Sequence, residues 1–153
     1  KELPFQGVYR VTREGEVKLL TPDVKAPNGL ALAPDGRTLY VSNAEPGENA
    51  VVYAFEIRPD ATLGARRVFV DLTAESRAGA PGAPDGLEVD AEGNVWLAGP
   101  GGVHVYTLAG RRLGSLAFDR PAANLEFGDD GYLYVTADTA IWRIATSARR
   151  ARP

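Results

Sequence analysis

Short, largely apolar runs, each entered through a tight-turn pair, recur along the chain. Val, Leu, Tyr and Trp dominate the runs, and these side chains pack well on a pleated sheet. The segment Pro27-Asn28-Gly29-Leu30 is followed by Ala33-Pro34-Asp35-Gly36 and then Thr38-Leu39-Tyr40-Val41. A second copy runs Pro84-Asp85-Gly86-Leu87, Asp90-Ala91-Glu92-Gly93, Asn94-Val95-Trp96-Leu97. The third runs Ala122-Ala123-Asn124-Leu125, Gly128-Asp129-Asp130-Gly131, Tyr132-Leu133-Tyr134-Val135. Gly29 and Gly86 are 57 residues apart, whereas Gly86 and Asn124 are 38 apart. The excess falls in Asn43–Asn49 and Arg58–Gly64 of the first copy and in the loop Ala74–Ala83 before the second.

Each copy predicts strand, tight turn, strand, with Asp35-Gly36, Glu92-Gly93 and Asp130-Gly131 as turn pairs in which Gly supplies the positive φ of a hairpin. Ala50–Ile57 and Arg66–Leu72 add two strands to the first copy, and Gly102–Leu108 and Arg112–Phe118 add two to the second. Ala140–Ile144 leaves the third one strand short, while Gly7–Thr12 and Glu16–Leu20 read as the last strands of an earlier copy. The expectation is an all-β chain of thirteen strands grouped two, four, four and three, with no helix. A repeat of four antiparallel strands is the blade of a β-propeller. The predicted units are the end of one blade (1–20), two blades (26–72 and 83–118), an incomplete last blade (122–144) and a tail (145–153). A single β-sandwich also accommodates short, evenly spaced strands, but it has no reason to repeat the same turn-plus-aromatic unit. About three blades cannot close a ring, since propellers have at least about four. Further N-terminal blades or a second copy of the chain are therefore expected to complete it. The absence of Met, even at position 1, adds the expectation of a missing upstream portion.

Composition narrows the function classes. Hydrophobic residues make up 44% of the 153 positions and charged residues 24%, an ordinary globular balance. A net charge of −3 has the wrong sign for nucleic-acid binding. The basic residues are scattered except for Arg149, Arg150 and Arg152, which read as a solvated terminus. Without Cys there are no disulfides, thiolate nucleophiles or Cys-ligated zinc. A cysteine-free chain suits reducing and oxidising compartments alike; the cytoplasm is the expected one, with the periplasm as the alternative. No apolar run approaches the ~20 residues of a membrane span, so no membrane partner is expected.

Repeat position supplies the candidate chemistry. The first strand of a propeller blade lines the central channel, so the residue that opens it sits at one mouth. Asn28 and Asp85 hold the same position, before Gly29 and Gly86, and Ala123 holds it in the third copy. The loops Asn43–Asn49, Gly99–Gly102 and Ala137–Thr139 belong at that mouth, and the Asp-Gly turns at the opposite end. An amide oxygen and a carboxylate converging there suit calcium or magnesium and are tolerated by manganese and zinc. Such an ion could polarise an ester carbonyl, and Asp85 could move the proton of ring opening. Asn and Asp before Gly are also ordinary turn formers, and spacing alone leaves that reading open.

Other residues offer less. His104, the only histidine, lies in an alternating strand and cannot build a His-cluster zinc site alone. Ser42, Ser76, Ser115 and Ser147 lack a nucleophile-elbow context. Gly99-Pro100-Gly101-Gly102 has no following Lys-Ser/Thr and reads as a strand connection. Trp96, Trp142 and the tyrosines follow strand periodicity as packing residues, and Glu88 and Glu126 sit mid-strand, where they are expected to face the channel.

Taken in order, several segments resemble the gluconolactonase, regucalcin-like (senescence marker protein) family. They are Leu3-Pro4-Phe5-Gln6-Gly7-Val8-Tyr9-Arg10-Val11, Ala26-Pro27-Asn28-Gly29-Leu30, Arg67-Val68-Phe69-Val70-Asp71, Ala83-Pro84-Asp85-Gly86-Leu87 and Gly99-Pro100-Gly101-Gly102-Val103-His104-Val105. The resemblance implies the C-terminal half of a six-bladed propeller that hydrolyses sugar lactones such as gluconolactone. It implies one divalent cation, calcium first, with zinc, magnesium or manganese as alternatives. The family holds it with a Glu, an Asn and an Asp; Asn28 and Asp85 match the last two, and Asp85 is also the implied proton shuttle. The implied Glu precedes Lys1, so the isolated chain is expected to bind metal weakly and to turn over little. The competing readings are a non-catalytic binding or scaffold propeller and a metal-dependent esterase or phosphotriesterase on the same fold.

Overall fold

A computed structural model of the chain describes residues 5–45 and 49–151. Leu3, Pro4, Arg152 and positions 46–48 of the Asn43–Asn49 loop lie outside the described residues. Among the described residues thirteen strands form four antiparallel sheets, grouped two, four, four and three as the turn pattern predicts. The first sheet pairs β1 (Val8–Val11) with β2 (Val17–Thr21). The second runs β3 (Pro27–Leu32), β4 (Thr38–Asn43), β5 (Val51–Ile57), β6 (Leu63–Asp71). The third runs β7 (Leu87–Val89), β8 (Val95–Gly99), β9 (Gly102–Tyr106), β10 (Arg112–Ala117). The last runs β11 (Ala122–Phe127), β12 (Tyr132–Ala137), β13 (Ala140–Ala145). Between sheets, β3 contacts β7, and β11 contacts both β7 and β8. The first strands thus stand side by side about one axis, and each sheet is a blade.

Apolar layers hold the blades face to face, and strand alternation feeds two layers at once. From β4, Leu39 and Val41 pack towards the first blade with Val8, Val24 and Phe55. Tyr40, one residue out of phase, packs the other way with Phe69, Leu87, Val95 and Leu97. A strand covered on both faces needs a nearly continuous apolar run, which is what Thr38-Leu39-Tyr40-Val41 provides. Leu125, Phe127, Leu133 and Val135 then pack the last blade against Ala98 and Val103. Trp96 meets Phe127 edge-on at 5.4 Å.

Three expectations are corrected. A short helix, α1 (Thr73–Arg77), occupies the start of the segment expected to be a loop. It forms because the Asp71 carboxylate accepts the Thr73 N–H at 2.8 Å while the Thr73 hydroxyl accepts the Ala50 N–H at 3.1 Å, which turns the chain sharply off the rim. Second, β6 begins at Leu63, opposite Ile57, rather than at Arg66, because a turn closes within Arg58–Thr62 and lets pairing start at once. Third, the Arg-rich tail is not free. Arg150 bridges Asp90, the Arg149 carbonyl accepts the Ala91 N–H at 2.8 Å, and the Ala151 N–H reaches the Val89 carbonyl. The tail therefore adds backbone pairing to the inner edge of β7, where a free strand edge would otherwise leave polar groups unpaired.

Register fixes the two ends of the axis. Pro27 lies opposite Asn43, and the Asp85 N–H donates to the Ala98 carbonyl at 2.9 Å. Asn28, Asp85 and Ala123 therefore share an end with the tight connections Gly99–Gly102 and Ala137–Ala140. The Asp-Gly turns lie at the other, with the expected positive φ, as at Gly93 (86°).

Candidate functional site

Two glycines let the candidate residues approach each other. A Cβ on Gly29 would lie 2.3 Å from the Asp85 carbonyl oxygen and 2.8 Å from the Gly86 Cα. One on Gly86 would lie 2.1 Å from Asn124 Oδ1. At Gly29 the neighbouring first strand approaches through backbone and at Gly86 through the Asn124 side chain and its Cα, so both junctions are tight, and the residues just before these glycines lie at one mouth.

At that mouth Asn28 is exposed and Asp85 half-buried. Burial pushes the Asp85 carboxyl above its ordinary pKa, while the Gly86 N–H and the Asn28 side-chain amide, both favouring the carboxylate, pull it partly back. Asn28 and Asp85 thus share one end of the axis on adjoining blades, near enough for the Asn28 amide to favour the Asp85 carboxylate. Among the described residues no Lys, Arg or His forms an ion pair with Asp85. A half-buried carboxylate without a cationic partner is costly. Turning the Asn28 amide about its last torsion would present its oxygen at that mouth. Two hard oxygen donors then flank one position, a chemistry that suits a divalent cation. Among the described residues no group of three or more His, Cys, Asp or Glu gathers as a metal cluster.

The remaining sequence candidates have other roles. His104 is buried, with Nε2 2.9 Å from the Pro100 carbonyl and Nδ1 3.0 Å from Ser115 Oγ. A carbonyl only accepts, so Nε2 carries the proton and Nδ1 accepts from the Ser115 hydroxyl and from Arg112, whose guanidinium pairs with Glu75. Burial holds the imidazole below its ordinary pKa, and Arg112 adds to this. His104 is thus a neutral anchor for the Gly99–Gly102 connection rather than a base. Because the folded pKa is depressed, its contribution to stability is complete above the unfolded value near 6.5 and is lost as pH falls through the folded value. His104→Ala is expected to cost about 2–3 kcal/mol at neutral pH, from a lost hydrogen bond and a cavity. Urea melts should show that cost shrinking as pH falls towards about 5.

Glu88 and Glu126 do not simply face open channel. Glu88 is half-buried, and burial together with the nearby Glu126 raises its pKa against the opposing effect of Arg150. Glu126 accepts from Arg150 at 2.6 Å, so the tail supplies this carboxylate pair with its counter-charge. With Asn124, Tyr134 and Thr136 they flank a cavity of about 220 Å³. Trp142 is exposed and meets Phe118 edge-on at 5.7 Å.

Two buried polar residues escape the motif reading. Asp90 accepts from the Glu92 and Asn94 N–H groups, the Asn94 amide and the Trp96 indole at 2.8–3.0 Å, a turn-fixing role. Ser42 accepts the Gly29 N–H at 2.8 Å and donates to the Asp85 carbonyl at 2.8 Å, between the two candidate residues. The only sequence signal for either is a polar side chain inside an apolar strand or at its turn.

Residues 1–139 match the family described as SMP-30/Gluconolactonase/LRE-like region. The chain is 32% identical to a gluconolactonase of Zymomonas mobilis, with 95% of this chain and 42% of that protein covered. It is 32% identical to the pentonolactonase XacC of Haloferax volcanii, over 84% of this chain and 44% of that one. The solved structure of a gluconolactonase from Xanthomonas campestris superposes with a TM-score of 0.78 at 32% identity, covering 93% of this chain and 45% of the other. The chain thus spans less than half the length of these relatives, which fits three blades or so of a six-bladed ring.

Proposed function

Because the chain belongs to the SMP-30/gluconolactonase/LRE-like family, we propose that the whole protein hydrolyses sugar lactones at the mouth formed by Asn28 and Asp85. The observation that carries this reading is that Asn28 and Asp85 share one mouth, on first strands in close backbone approach at Gly29, with the Asp85 carboxyl half-buried and without a cationic partner among the described residues. Relatives named gluconolactonase and pentonolactonase support a cyclic sugar ester as substrate.

The donor set fits a divalent cation, calcium before zinc, magnesium or manganese, because amide and carboxylate oxygens are hard ligands. Asn28 Oδ1 and an Asp85 carboxylate oxygen would hold it. When bound, the ion supplies Lewis-acid polarisation of the lactone carbonyl. Asp85 handles the proton. Its carboxylate takes one from the water that attacks the carbonyl carbon; the ring C–O bond then breaks, and the proton passes to the departing alkoxide oxygen. A carboxyl raised above its ordinary pKa by burial is a better base than a solvated one, as this transfer requires. Asn28, uncharged, orients without competing for the proton.

The test is acid release from gluconolactone by the full-length protein, followed in a weakly buffered solution. Chelator is expected to abolish turnover, and calcium or manganese to restore it. Turnover indifferent to chelator would remove the cation from the reading, and no turnover with any metal or lactone would favour a non-catalytic propeller.

A further inference from the structure

We infer that Ser42 is a positioning residue that sets the spacing between Asn28 and Asp85, an inference that rests on reading their mouth as a cation site. Ser42 is fully buried, yet its hydroxyl belongs to no turn or cap. It accepts the Gly29 N–H at 2.8 Å and donates to the Asp85 carbonyl at 2.8 Å, the Gly29 carbonyl at 3.3 Å being the poorer acceptor. One hydroxyl thus ties the peptide that follows one candidate ligand to the backbone carbonyl of the other, which lies 43 residues from Ser42 along the chain.

The repeat supplies its own comparison. At the next blade junction the Gly86 N–H donates directly to the Ala123 carbonyl at 2.8 Å. Gly29 and Gly86 hold equivalent positions, as do Asp85 and Ala123. The same bond is therefore made directly between the third and fourth blades and through an inserted oxygen between the second and third. Ser42, Ala98 and Thr136 share one register position in β4, β8 and β12. Ala98 has no hydroxyl, and its junction closes on the direct bond. The junction without the spacer carries Ala123 at the mouth; the junction with it carries the facing pair Asn28 and Asp85. A cation holds its ligands to narrow distances, so the separation of the two strands that carry them sets how well both can reach it.

Removing the spacer should let the junction relax towards the direct bond without unfolding the blade, since Ala98 already serves at this position. Metal affinity should suffer more than stability. The full-length protein and its Ser42→Ala, Asp85→Asn and Val95→Ala variants would be titrated calorimetrically with Ca²⁺ and with Mn²⁺, alongside urea melts. Ser42→Ala is expected to fold and to bind both ions about 10–100-fold more weakly, the usual range for a residue that orients a ligand. Val95→Ala, a core truncation at the opposite end of β8, should lose stability with its affinity unchanged, which separates positioning from general loosening. Ser42→Ala binding as tightly as wild type while Asp85→Asn loses binding would overturn the role of Ser42 and leave the cation site standing. An unfolded Ser42→Ala would overturn it equally, because Ala98 shows that the position folds without a hydroxyl. Asp85→Asn binding both ions like wild type would instead bring down the reading of the mouth itself.

Discussion

Replacing Asp85 by Asn is expected to lower lactone hydrolysis by the full-length protein about 10³-fold, with no loss of folding stability. The substitution keeps size and shape. The backbone bonds that fix residue 85, to the Ala98 carbonyl, from Ser42 and through the Gly86 N–H to Ala123, do not involve the side chain. Two things do change. A neutral amide cannot accept the proton of the attacking water, and loss of a positioned general base alone costs typically about 10²–10⁴-fold. A neutral ligand also gives up the carboxylate's attraction for a divalent ion, so the remaining turnover should demand far more added metal. Stability should hold or rise, because burial of an unpaired carboxylate opposes folding at neutral pH, as its raised pKa indicates. Steady-state rates over a range of Ca²⁺ or Mn²⁺, set beside urea melts, check both halves. A variant that is equally active, or that is inactive only because it is unfolded, would contradict the assignment.

Gly29→Ala is expected to be severely damaging, costing about 3 kcal/mol and abolishing measurable cation binding. The added carbon would meet the Asp85 carbonyl oxygen at 2.3 Å, the Gly86 Cα at 2.8 Å and the Asp85 carbonyl carbon at 2.9 Å. All three are backbone atoms, so no side chain can rotate away and the junction must open. Overpacking of this kind typically costs about 1–3 kcal/mol where side chains can adjust, and here they cannot. Opening also parts Asn28 from Asp85 and strains both bonds to Ser42. Gly114→Ala in β10, where nothing lies within 4 Å, is the control and should change stability by less than about 0.5 kcal/mol. Equal melts for the two variants would mean that the close approach at Gly29 carries no weight.

The strands were legible because each blade repeats a hairpin whose turn chemistry and apolar alternation agree, so local preference and tertiary packing point the same way. Tyr40, Trp96 and Tyr134 hold one repeat position, and their strands differ mainly in how fully the neighbouring blade covers them. Helix α1 was not legible, since Thr73–Arg77 makes little more than one turn and owes its shape to Asp71 and to the Ala50 N–H from β5. Nor was the docking of Arg149 and Arg150. Arginines at a chain end look solvated until the free edge of β7 and the carboxylate of Glu126 are placed beside them. At the candidate site, Asn28 and Asp85 stood out because a repeat converts sequence position into position around an axis. Ser42 did not. Its partners lie 13 and 43 residues away, and only the pairing of β3 with β4 and the contact of β3 with β7 bring them together.

Anomalous scattering from a crystal of the full-length protein soaked in Mn²⁺ is the decisive check on the proposal that Asn28 and Asp85 hold one cation between them. A single strong peak is expected at that mouth, within about 2.1–2.6 Å of Asn28 Oδ1 and of an Asp85 carboxylate oxygen. A peak elsewhere, or a fully soaked crystal in which the two side chains turn away from each other, would contradict it.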